Sequence, residues 1–174
     1  MNNIKLWSVL GVIFTSVTGT LLHFVYERFD GRVWAIVGAV NESTWEHLKL
    51  LFWPMVAFTL VEYLFYGKNT PGFIQVKALS ILLGMAVVVV GFYTYTGVLG
   101  SNIAIVDVSL FFAGVVIAYC FFYKNISRDR AIYKSSFFDT VAIAIIVTLG
   151  ILFAIFTSMP PQIDLFKDPL SEIM

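Results

Sequence analysis

Residues 41–47 read Asn-Glu-Ser-Thr-Trp-Glu-His and open onto an apolar run. Two carboxylates, an imidazole, two hydroxyls and an amide fall within two helical turns. Such groups can ligate a divalent ion, move a proton or hold a polar solute. The other histidine, His23, ends the preceding apolar run, and Glu27 follows four residues on. That spacing sets His23 and Glu27 on one helix face. His23, Glu42, Glu46 and His47 offer nitrogen and oxygen donors suited to zinc or another divalent ion. A glutamate left outside such a shell could act as general base on a bound water. Glu46 and His47 are adjacent, so their side chains diverge by roughly 100° around a helix. Glu42 with Glu46, or Ser43 with His47, share a face better. The spacing is not His-Glu-x-x-His, so no zincin follows.

Two other readings stand beside the metal. Ser43-x-x-Glu46 fits a capping box, in which the serine accepts from the Glu46 amide and Glu46 reaches back. An acid at a helix start also interacts well with the helix dipole, so caps explain Ser43 and Glu46 without function. The third reading is a recognition pocket for a small molecule or lipid head group. Its polar groups would be His23, Glu27, Asn41, Glu42, Glu46, His47 and Asp107. Trp45, Trp53, Tyr93 and Tyr95 could wall it, although an interfacial belt is the ordinary place for Trp45.

The elements that must position these groups are membrane spans. The chain has 174 residues, 59% hydrophobic, 17% aromatic and 13% charged. Its mean hydropathy is +0.88. Soluble domains carry about 25% charged residues, so the composition indicates an integral membrane protein. Eleven basic and eleven acidic residues balance, which gives no sign of a nucleic-acid partner. The single cysteine, Cys120, excludes an internal disulfide and a cysteine metal cage, and its apolar surroundings predict a buried, inert thiol. No repeat or linker is evident, so residues 1–174 read as one integral membrane domain.

A span needs about 20 mostly apolar residues. Five segments qualify: about 6–26, 44–66, 77–99, 103–123 and 137–158. The first is too long for a signal-peptide core and has no cleavage site after it, so it is expected to be retained. Residues 33–40 are apolar, but as a helix would rise only about 12 Å, so they form an interfacial or re-entrant piece. Pro54 lies nearly halfway along the second span and is expected to kink or loosen it. Gly11, Thr15 and Gly19 make a small-residue stripe, as do Ser80 and Gly84, and such stripes let membrane helices approach closely. Glu62 and Asp139 lie near helix ends close to basic loops, so pairing or snorkelling is expected of them.

Lys5, the Lys68/Lys77 loop and the Lys124–Lys134 loop fall on one side of a five-span chain. The positive-inside rule then predicts a multi-pass protein of the cell membrane, with a cytoplasmic N-terminus and an extracytoplasmic 159–174 tail. The acceptor sequence Asn125-Ile126-Ser127 falls on the cytoplasmic side and is discounted. His23, Glu27, Asn41–His47, Tyr93, Tyr95, Asn102 and Asp107 then belong to the outer half of the bundle.

The stretch Asn-Glu-Ser-Thr-Trp-Glu-His-Leu-Lys-Leu-Leu-Phe-Trp-Pro, residues 41–54, resembles the hallmark of a family of small uncharacterised prokaryotic integral membrane proteins. Gly19–Glu27, Pro160-Pro161 and Leu165-Phe166-x-Asp168-Pro169 are also similar. The resemblance covers nearly the whole chain and implies no activity. It implies that His23, Glu27, Asn41, Glu42, Trp45, Glu46, His47, Lys49 and Pro54 belong together. A looser similarity is to membrane hydrolases with histidine–aspartate zinc sites, such as the alkaline ceramidase group. Those have a late His-x-x-x-His pair, whereas this chain has no histidine after His47.

The expected protein is therefore all-α and polytopic. Its leading function is an outward-facing polar pocket built by the first two spans, for a small ligand, lipid head group or ion. The alternatives are a metal-dependent membrane hydrolase, or an accessory subunit that docks a partner through Asn41–His47.

Overall fold

The computed structural model describes residues 2–126 and 136–168. Six α-helices follow in order: α1 (Asn2–Phe29), α2 (Arg32–Val37), α3 (Thr44–Phe65), α4 (Phe73–Leu99), α5 (Ala104–Ile126) and α6 (Ser136–Ser158). Single 3-10 turns cover Gly67–Asn69 and Asp164–Phe166, and no strand occurs among the described residues. All of these helices except α2 are long and apolar enough to cross a membrane. The basic loop beyond Ile126, with Ser127 of the acceptor sequence, and the tail beyond Asp168 lie outside the described residues.

The apolar runs form helices because the bilayer core has no water to satisfy a bare backbone. α3 and α4 are central and carry most of the buried side chains. Leu51, Phe52, Met55 and Phe58 of α3 meet Ile81, Met85 and Val88 of α4 and Val115, Ala118 and Tyr119 of α5. α6 is peripheral, and only Ala142 and Phe153 on it are buried. Large apolar side chains such as Leu21, Leu64, Val98 and Ile105 are exposed. An apolar exterior of that extent suits lipid and not water. The molecule is thus compatible with a multi-pass membrane protein.

The chain leaves α1 through Asp30 and Gly31, both at positive φ. Gly31, at φ 99°, takes that conformation without a Cβ penalty. α2 has six residues, far too few to span. Three polar bonds from α3 fix it and the turn that follows it. Lys49 Nζ donates to Ala35 O at 2.7 Å, Trp53 Nε1 donates to Ile36 O at 2.9 Å, and Glu46 Oε2 accepts from Val40 N at 3.0 Å. These bonds satisfy backbone groups that a short helix end leaves open.

Lys49 and Glu46 are themselves a buried ion pair, and Thr157 of α6 bonds to both. A second buried pair joins Glu62 of α3 to Lys77 of α4. Its ammonium lies over the Phe122 ring, 3.8 Å from the centroid, and Tyr66 donates to Glu62 at 2.7 Å. Asp139 of α6 accepts from Gln75 at 3.1 Å. Glu62 therefore pairs with a basic group, as its position suggested, whereas the partner of Asp139 is a neutral amide.

Three local expectations are corrected. Ser43 does cap α3 by accepting from the Glu46 amide, but the Glu46 carboxylate bonds to Val40 and so does not close the box. Trp45 is buried against Phe153, Phe156 and Phe166, not set in a belt. Cys120 is exposed on the outer face of α5, because its neighbours' apolarity faces outward there.

Candidate functional site

Proline has no N–H, so Pro54 cannot bond to the carbonyl four residues back, that of Leu50. α1 makes its close approach to α3 at that carbonyl. A Cβ on Gly19 would overlap Leu50 O. The absence of a side chain at Gly19 thus allows the contact, and the same stripe continues at Thr15, which bonds to Tyr119 of α5 at 3.0 Å. One turn beyond Gly19 is His23, and one turn before Leu50 is His47. The helix approach brings the two imidazoles together.

Their Nε2 atoms are 3.3 Å apart. Glu42 Oε2, from the loop ahead of α3, lies 3.4 Å from His47 Nε2 and 3.8 Å from His23 Nε2. All three side chains are partly exposed. His47 Nδ1 is 3.0 Å from Ser43 O, an atom that only accepts. In the neutral ring the proton therefore sits on Nδ1, which fixes the ring and turns the Nε2 lone pair toward His23 and Glu42. His23 Nδ1 is buried without a partner among the described residues, and its ring packs against Phe24 and His47. When the His47 ring is protonated instead, Nε2–H donates to Glu42, and that bond holds the Glu42 carboxyl below the usual carboxylate range, against the opposing effect of burial.

This cluster lines a cavity of about 510 Å³ between α1, α3, α4 and α5. That volume is in the range of pockets for organic ligands, roughly 300–1,000 Å³. Leu50, Val88, Phe92, Leu110 and Phe111 make apolar walls. His23, Glu42, His47 and Asp107 are the ionisable groups of the lining. Phe24 of α1 and Val108 and Phe112 of α5 line the cavity and are also exposed. Tyr95 donates to Asp107 and accepts from Ile103 N, which ties the end of α4 to the start of α5 beside the cavity.

The other sequence candidates lie elsewhere. Glu46 faces Lys49 and α2, because one residue along a helix turns its side chain away from His47. Asn41 accepts from Ser43 N at 3.0 Å and shapes the turn into α3. Glu27 lies near the end of α1 and takes no part in the cluster. Asp107 shares the cavity with the histidines. The aromatic and aliphatic walls from α4 and α5 were not foreseen. The i−4 relation of Leu50 to Pro54, read with the Gly19–His23 spacing, is the one signal that could have located the α1–α3 contact.

A family model described as "Family of unknown function (DUF6512)" matches residues 1–173. The chain belongs to that family. No curated protein and no solved structure matches it. The helices and the cluster described above are therefore those of a DUF6512 member, and the chemistry of the site has to be argued from its own geometry.

Proposed function

We propose that this protein binds an amphiphile, one apolar chain with a hydrogen-bonding head group, in the cavity between α1, α3, α4 and α5. The observation that carries the reading is the cavity's polarity gradient. Leu50, Val88, Phe92, Leu110 and Phe111 give it apolar walls, and its ionisable groups come from the last two turns of α1 (His23), the loop before α3 (Glu42) and the first turns of α3 and α5 (His47, Asp107). Burying an alkyl chain on such walls contributes about 0.8 kcal/mol per methylene relative to water. The imidazoles and carboxylates satisfy a head group that would otherwise be stranded. The exposure of the lining residues Phe24, Val108 and Phe112 supports entry from the bilayer between α1 and α5.

In this reading the protein is a multi-pass protein of the cell membrane, and the polar end faces outward. The basic residues Lys5, Lys68 and Lys77 support a cytoplasmic opposite end. The two roles within residues 41–54, α2 anchorage and the histidine cluster, support that segment as the family's hallmark. Single-chain amphiphiles added to the delipidated protein should raise its Tm. Val108→Trp, which fills the cavity from an exposed position, should abolish that rise without changing the helical spectrum. An equal rise in the variant would refute the pocket.

A further inference from the structure

We propose that His23 Nε2, His47 Nε2 and Glu42 Oε2 hold a divalent transition ion of the zinc type, with a fourth position open to the cavity. The three atoms form a triangle with sides of 3.3, 3.4 and 3.8 Å. A tetrahedral zinc ion with bonds near 2.0–2.1 Å sets its donors about 3.3–3.4 Å apart. A point equidistant from the three atoms lies about 2 Å from each, so an ion fits with little movement of any ligand. Two imidazoles with one carboxylate are a donor set that zinc accepts while keeping an exchangeable position.

Proton accounting points the same way. His47 donates through Nδ1 to Ser43 O, so in the neutral ring its Nε2 presents a lone pair. Glu42 Oε2 presents another. His23 carries one ring proton when neutral, and that proton can satisfy one of these two atoms but not both. Three electron-rich atoms then converge with too few protons between them. A divalent ion satisfies all three at once. The competing occupant is a second proton, shared between His47 and Glu42. Among the described residues, this crowding of donor atoms is confined to His23, Glu42 and His47, each of which brings one ligand atom within 4.8 Å of the others. The support around the ligands is uneven, since His47 has a carbonyl behind it and His23 does not. This site stands whether or not the cavity holds an amphiphile.

The test uses the full chain, purified in detergent without a histidine tag, stripped with a chelator and reloaded with Zn²⁺ or Co²⁺. The expected result is one ion per chain. The cobalt form should show the intense visible bands of a four-coordinate site, and X-ray absorption of the zinc form should show two imidazoles. His23→Ala, Glu42→Ala and His47→Ala should each lose stoichiometric uptake, whereas Glu27→Gln should keep it. The proposal is overturned if the wild type takes up no ion above background, if fewer than two imidazoles bind, or if the three variants bind as well as wild type. Should the alanine variants fail to fold, the wild-type X-ray absorption decides alone.

Discussion

Glu46 and His47 are neighbours in sequence and serve different structures. His47 turns toward α1, where it meets His23 and Glu42. Glu46 turns toward α2 and α6, where it meets Lys49, Val40 and Thr157. The divergence of adjacent helical side chains could be read from the sequence, and so could the Ser43 cap. The further partners of Lys49, Ala35 O and Thr157, could not. They depend on where α2 comes to rest and on Thr157, 108 residues away along the chain. The Lys49 and Glu46 side chains are 0% and 2% exposed, so removing either charge strands the other. Lys49→Met should therefore cost about 3–5 kcal/mol in thermal unfolding, and the double variant with Glu46→Gln should recover a large part of it. A Lys49→Met protein as stable as wild type would contradict the clamp.

Among the elements, the pairing of α1 with α3 builds the site. Gly19 rests on the Leu50 carbonyl that Pro54 leaves without its helical donor. Gly19→Leu should wedge the two helices apart by the width of a side chain. The chain should still fold as helices in circular dichroism, and it should lose amphiphile-induced stabilisation and ion uptake together. Retention of both would show that the close approach does not position His23. The long helices were legible in the sequence because each is an apolar run of bilayer length. The short length of α2 was legible for the same reason. The apolar walls of the cavity were not, because a phenylalanine on a cavity wall and one facing lipid read alike. Phe111 and Phe112 are adjacent on α5 and line the same space, and nothing in their types distinguishes them from Phe121.

The whole molecule places its buried charges in pairs and its apolar side chains outward. Lys49–Glu46 and Lys77–Glu62 lie toward opposite ends of α3, where each joins other segments to the central helix. Orientation is a property of this scale. In a Cys120→Ala background, a membrane-impermeant maleimide on intact cells should label cysteine placed at Asn102 and spare cysteine placed at Lys68. Both positions are exposed, at opposite ends of α4. The reverse pattern would invert the topology and turn the histidine cluster toward the cytoplasm. The central claim is that His23, Glu42 and His47 form the polar end of a ligand cavity. Native mass spectrometry of the protein released from mild detergent tests it most directly. The account predicts one amphiphile retained per wild-type chain and none on Val108→Trp. The same adducts on both proteins, or none on either after reloading with single-chain amphiphiles, would contradict it.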